Sequence, residues 1–204
     1  MNSVRSIFAG LAIASLSLLG PIGDAFAGDG SALESFKARH SAVIQLVKER
    51  AENDKLQVEV DNLLDYHALA ETSLGGPRRF ANRCEPRCEE FEALLTKLIR
   101  ENYLRRIRTD KEYELTYEGE EKRPRHTRVT TTIKHQKNGK DEIVEVVYVM
   151  HQVGGAWKVE DIITEGVSLA KNYKYEFNKI LKEKGIDELI LRLENKLAEL
   201  AKKD

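Results

Sequence analysis

The sequence predicts an α+β domain in which a curved antiparallel four-stranded sheet packs against amino- and carboxyl-terminal helices. Three observations carry this. Apolar residues recur at helical spacing up to about Leu104; from Tyr113 to Ile163 the period is two, interrupted by Gly-containing turns; after Gly166 the helical period returns. Helices, then a meander, then helices is the order expected when all the helices cover one face of a sheet.

The first helix is expected over Ser31 to Glu52, where Leu33, Phe36, Val43, Ile44 and Val47 share a face and charges fill the gaps. A second runs from about Lys55 to Leu74 with Val60, Leu63, Leu64 and Leu69 inward, and Gly75-Gly76-Pro77 stops it. A third starts near Pro86, with Phe91, Leu94, Leu95, Leu98 and Ile99 buried and Tyr103 and Leu104 continuing the stripe.

The strands follow. Tyr113, Leu115 and Tyr117 alternate with Glu and Thr, and Thr127 to Lys134 is rich in β-branched residues. Asn138-Gly139 is a hairpin signal, because both positions of a type I′ turn need positive φ. Ile143 to Met150 then puts Val144, Val146, Tyr148 and Met150 on one face. Gly154-Gly155 turns the chain again, and Trp157 to Ile163 is the last predicted strand. Beyond Gly166, Ser168 is a natural N-cap for a helix carrying Leu169, Tyr173, Phe177, Ile180 and Leu181, which ends at Gly185. Asp187 caps a final helix with Leu189, Ile190, Leu193, Leu197 and Leu200. Lys202 and Lys203 stand at its carboxyl end, where the helix dipole favours cations.

The amino-terminal residues read as a targeting segment. Arg5 precedes an apolar run from Ile7 to Leu19, Pro21 and Gly23 break it, and Ala25-Phe26-Ala27 is an A-x-A cleavage signal. The run is too short to span a bilayer comfortably. The expectation is a cleaved signal peptide over 1–27, export to the periplasm, and a single domain over 28–204. With 33 basic and 34 acidic residues, the chain offers no electrostatic case for binding nucleic acid.

Cys84 and Cys88 are the only cysteines, and in an exported chain each is the other's sole intramolecular partner. They form either a local disulfide, which the break at Pro86 allows, or two inert thiols. A metal site is not expected: no His lies near the cysteines in sequence, and none of His40, His67, His126, His135 and His151 falls into a paired ligand motif. His135 and His151 face each other across the Asn138-Gly139 hairpin only if the register allows, and then supply just two ligands. Surface strand histidines are the simpler reading.

Asp161 and Glu165 are the one carboxylate pair that invites an acid–base reading. The simpler assignment is structural: together with Gly166 and Ser168 they tie a turn to the start of a helix. No nucleophile elbow, phosphate loop or dinucleotide glycine pattern is present. The basic run Lys122 to Arg128 reads as a solvated loop balanced by Glu118, Glu120 and Glu121, and alternatively as a contact for anionic headgroups. Tyr148, Trp157, Val159, Leu63, Leu64, Phe91 and Leu95 fill the core of any such domain, and patterning does not distinguish a filled core from a hollow one.

One ordered set of residues goes further. It comprises Tyr148, Gly155-Ala156-Trp157-Lys158-Val159, Asp161, Glu165-Gly166-Val167-Ser168-Leu169, Asn172-Tyr173, Phe177 and Lys184-Gly185-Ile186-Asp187 with Leu189-Ile190. The set resembles the periplasmic phospholipid carriers of the Mla pathway, the MlaC or toluene-tolerance family, and the similarity runs from about residue 30 to 200. Phe80 stands near the position where that family usually carries a Trp, and the segment with Cys84 and Cys88 is slightly longer. The resemblance implies an NTF2-like hollow sheet with an apolar pocket for phospholipid tails. The residues assigned to that pocket are Leu63, Leu64, Phe91, Leu95, Val146, Tyr148, Trp157, Val159 and Val167. It also implies a non-enzymatic carrier without cofactor, whose partners are phospholipid, an inner-membrane ABC transporter with an MCE-domain component, and an outer-membrane lipoprotein complex. Two other readings are an exported enzyme of the same fold using Asp161 or Glu165, and a lipid-free adaptor of an MCE-type transporter.

Overall fold

The structure is a computed structural model that describes residues 30–108 and 112–202; the predicted signal segment and Lys203 lie outside these residues. Among the described residues, five helices, α1 (Ala32–Lys48), α2 (Asn53–Leu63), α3 (Tyr66–Ser73), α4 (Pro77–Cys84) and α5 (Cys88–Ile107), precede the sheet. It consists of β1 (Tyr113–Lys122), β2 (Thr127–Lys137), β3 (Lys140–Val153), β4 (Ala156–Thr164) and β5 (Val167–Ser168), and α6 (Leu169–Ala201) follows.

The sheet is an antiparallel meander in the order β1-β2-β3-β4-β5. Its turns are the predicted ones. Asn138 and Gly139 have φ of 54° and 75°, Gly154 and Gly155 of 57° and 84°, as two-residue hairpins of this type require. Register shifts between Tyr117 and Gly119 and between Val149 and Met150 mark irregularities that bend the strands, the usual consequence of an extra residue on one side of a ladder. The fifth strand corrects the four-stranded expectation. Glu165 and Gly166 both adopt positive φ, so the chain reverses tightly and pairs Val167 with Thr164 and Ser168 with Ile163 before the helix begins.

The helical layer also differs from the sequence reading. The single helix expected over Lys55 to Leu74 is two helices. At the break Leu64 is extended, Asp65 donates its N–H to the Val159 carbonyl at 2.8 Å, and the Asp65 side chain caps α3 by accepting from the Ala68 amide at 3.0 Å. α4, which the sequence reading passed over, begins with Pro77 in the first turn, where its missing N–H costs nothing. Cys84 ends α4, Cys88 opens α5, and a disulfide joins them. The two predicted carboxyl-terminal helices are the halves of α6, broken at Gly185, whose φ of 78° is open to glycine and strained for other residues.

One core fills the interface between the helices and the inner sheet face. Phe36, Leu56, Leu63, Leu64, Leu69, Leu74, Phe91, Leu95, Met150, Val159, Leu189 and Ile190 are essentially inaccessible. Among the described residues, no helix is long and apolar enough to cross a membrane.

A candidate apolar ligand cavity

At the end of the sheet near β5 the helices and strands do not close on each other. α5 passes over with Ile99, Tyr103 and Ile107; α6 enters with Leu169 and Tyr173; the sheet contributes Ile133, Val144, Val146, Tyr148, Ile162 and Val167. They enclose a cavity of about 620 Å³, open to solvent at one side, with Asn102, Arg106, Asn172 and Glu176 also in its wall. That size lies within the roughly 300–1,000 Å³ typical of small-molecule sites, and an apolar wall with a few polar groups is their usual make-up.

The register explains the sheet side of the wall. Thr164 pairs with both Val146 and Val167, while Tyr148 pairs with Ile162 and Val144 with Ile133. Alternation therefore presents one row of mostly apolar side chains to the helices. On α5 the spacing of Ile99, Tyr103 and Ile107 is one helical turn, so all three share a stripe. Burial pushes the phenols of Tyr103 and Tyr148 well above the ordinary tyrosine range, so both remain neutral.

Of the nine residues assigned to a pocket from the sequence, Val146, Tyr148 and Val167 line this cavity. The structure places the other six elsewhere, for a definite reason. Leu63, Leu64, Phe91, Leu95 and Val159 sit at the opposite, sealed end, where the Asp65–Val159 hydrogen bond draws the helices onto β4 and leaves these side chains at most 1 % accessible. Trp157 is at that end too, its indole N–H donating to the Gly30 carbonyl at 3.1 Å. The sequence-assigned set leaves out most of this wall, including Ile99, Tyr103, Ile107, Ile133, Val144, Ile162, Leu169 and Tyr173. The period-two face of β2 and the continuation of the α5 stripe beyond Leu104 were the available signals.

Beside the cavity is a lobe of about 210 Å³ lined by His40, Ile44, Tyr113, Leu115 and His135 together with four residues of the first wall. His40 is buried, stacked on Phe36 at 4.8 Å, and its Nδ1 lies 3.0 Å from the Tyr117 hydroxyl. Burial pushes its pKa down to about 4, so the imidazole is neutral near pH 7 and adds no charge to the lobe.

The carboxylate pair is fully accounted for structurally at Asp161. Its Oδ2 accepts from the Ser168 hydroxyl at 2.5 Å and its Oδ1 from the amides of Ala170 at 3.0 Å and Ile162 at 2.9 Å. Glu165 is an exposed turn residue whose backbone N–H donates to the Glu145 carbonyl at 3.0 Å. The two strand histidines are not brought together. His135 pairs in register with Glu142, whereas His151, near the far end of β3, contacts Asp65 at 2.8 Å and Glu160 at 3.4 Å. Among the described residues no His, Cys, Asp or Glu cluster is disposed to hold a metal ion. The basic run spans the β1–β2 turn: Arg123 to Arg125 are exposed, with Arg123 paired to Glu121 at 2.6 Å, whereas Thr127 and Arg128 already belong to β2 and Thr127 is buried.

Comparison with solved structures finds the same fold in a phospholipid-binding protein from Ralstonia solanacearum, determined in complex with a phospholipid. The two are 21 % identical with a TM-score of 0.70, and the match covers 84 % of this chain and 99 % of that one. A comparison with curated protein sequences gives no match. The profile of the MlaC protein family matches residues 37–195, which span every element described above except the start of α1 and the end of α6, and the chain belongs to that family.

Proposed function

We propose that this protein is a soluble periplasmic carrier that holds the acyl chains of a phospholipid in the cavity between α5, α6 and the sheet. It shuttles lipid between an outer-membrane lipoprotein complex and an inner-membrane MCE-domain ABC transporter. The observation that carries this reading is the apolar cavity walled by Val144, Val146, Tyr148, Ile162, Ile107 and Tyr173 in a domain whose opposite end is fully packed. Membership of the MlaC family and the phospholipid bound by the Ralstonia protein support it.

The energetics fit a carrier. Each methylene withdrawn from water contributes roughly 0.8 kcal/mol, so two acyl chains with about 30 methylenes gain more than about 20 kcal/mol. Free lipid is therefore vanishingly rare in an aqueous compartment, and transfer needs a protein that offers comparable burial. Such a role requires no catalytic group. Asp161, the strongest candidate base, has both its oxygens committed to the amino terminus of α6. The targeting segment over 1–27 supports a periplasmic location.

The test is native mass spectrometry with lipid extraction on mature protein purified from periplasm without detergent. The expected result is one diacyl phospholipid per chain, released on denaturation. Protein that arrives empty and takes up no lipid from vesicles would overturn the carrier and leave the lipid-free adaptor.

A further inference from the structure

The cavity does not end at its inner wall. Arg106, Ile107, Ile133 and Tyr148 line both the 620 Å³ cavity and the 210 Å³ lobe behind it. Ile44, Ile107, Tyr113 and Leu115 line both that lobe and an open cleft of about 810 Å³ between α1 and β1. The three spaces are thus consecutive, each sharing four wall residues with the next. Apart from Arg106, each shared residue is an Ile, a Leu or a Tyr.

The sheet shows the same continuity. Inward positions run from Val167 on β5 through Thr164 on β4 and Val146 and Val144 on β3 to Ile133 on β2 and Leu115 on β1. With four inter-strand steps, this row is about 19 Å long. It reaches both edges of the sheet. At the β1 edge Val47, Ile44, Tyr113 and Leu115 form an apolar floor, and Gln45, Lys48, Arg50 and Glu112 supply a polar rim. The first mouth is similar, with Tyr173, Asn172 and Glu176 in its wall and Val167, 63 % exposed, at its opening.

We infer that the apolar space is a passage across the whole sheet, with a second mouth between α1 and β1 through which the methyl end of a long acyl chain extends. This rests on the phospholipid reading above. Its consequence is selectivity: a blind pocket sets an upper limit on chain length, and an open-ended one does not. His40, neutral and hydrogen-bonded to Tyr117, adds no charge to the middle lobe, where the guanidinium of Arg106 is the permanent charge in the wall.

The experiment uses the mature full chain and vesicles of phosphatidylcholine with short, medium or long saturated chains, and a phosphatidylcholine with a photoreactive group at the end of one long chain. Wild-type protein is expected to take up all three lengths, and the photolabel to fall on the peptides containing Ile44 to Lys48 or Tyr113 to Tyr117. Leu115→Trp and Ile44→Trp fill the middle of the passage and should lower long-chain occupancy by about tenfold or more while short chains still bind, a shift large enough to read directly. If neither variant folds, the wild-type photolabel alone decides. Long-chain uptake with label confined to α5, α6 and β5, or plugged variants with an unchanged length profile, overturns the passage and leaves the carrier standing. Wild-type protein that takes up no phosphatidylcholine of any length overturns both.

Discussion

Asp161 Oδ2 lies 2.5 Å from the Ser168 hydroxyl oxygen, and that hydroxyl oxygen in turn accepts from the Lys171 amide at 3.1 Å. Because Asp161 Oδ1 also accepts from the Ala170 amide, the pair satisfies two of the unpaired N–H groups that open α6 and places a negative charge at its positive end. The last long strand is thereby fastened to the first turn of the helix that walls the cavity.

Asp161→Ala should therefore cost about 2 kcal/mol or more in denaturant unfolding, since hydrogen bonds to a charged acceptor are lost at a half-buried site. Asp161→Asn retains an acceptor for Ala170 and should recover most of that stability with lipid occupancy unchanged. An Asn variant that melts normally and no longer carries lipid would show that the carboxylate does something other than tie the helix.

The two ends of the sheet should respond oppositely to side-chain size. Leu95, fully buried at the sealed end, should cost about 2–5 kcal/mol as Leu95→Ala. Val144→Trp, in the cavity wall, should leave the melting temperature near wild type and lower phospholipid occupancy in native mass spectra. Equal occupancy in Val144→Trp and wild type would remove this cavity as the lipid site.

Trp157→Ala tests whether this residue belongs to the ligand site. The indole is half-buried and donates to Gly30 at the end remote from the cavity, so a loss of about 1 kcal/mol with unchanged lipid content is expected. Lipid loss in a variant of normal stability would place Trp157 back at the ligand.

Replacing Cys84 and Cys88 together by Ala releases a loop with a sequence separation of 4. By the chain-entropy estimate for so short a loop, that cross-link contributes about 2 kcal/mol. Reduction of the wild-type protein should lower the unfolding midpoint by a matching amount and leave cargo chain length untouched.

His40 sets a pH dependence. Its folded pKa is lowered to about 4 by burial, against an ordinary value of 6.5, so the unfolded chain binds more protons between those values. The stability it confers is complete above about pH 6.5 and is lost as pH falls towards 4, by about 3 kcal/mol at most. Unfolding curves of wild type and His40→Gln across that window should converge as the pH drops. Curves that stay parallel would show that His40 titrates normally.

The helical and period-two segments, both hairpin turns, the Gly185 break and the Ser168 cap were legible because each is decided within a few residues, by side-chain periodicity, positive φ or a short-range hydrogen bond. The split at Leu64–Asp65 was not, because its cause is the Val159 carbonyl, far away in the chain. β5 escaped notice because a strand of two residues has no period to read.

Periodicity alone places Leu63, Phe91, Val146, Tyr148 and Val159 in the interior, and all five are buried there, whereas Val167 is exposed. Which part of that interior is filled and which is hollow emerges from the packing of helices on the sheet. Burying a Leu in close-packed core and lining a cavity with it demand the same apolar residue at the same spacing. The difference is the separation between helix and sheet, set by long-range contacts such as Asp65 with Val159 at one end and by the entry of α6 over β5 at the other.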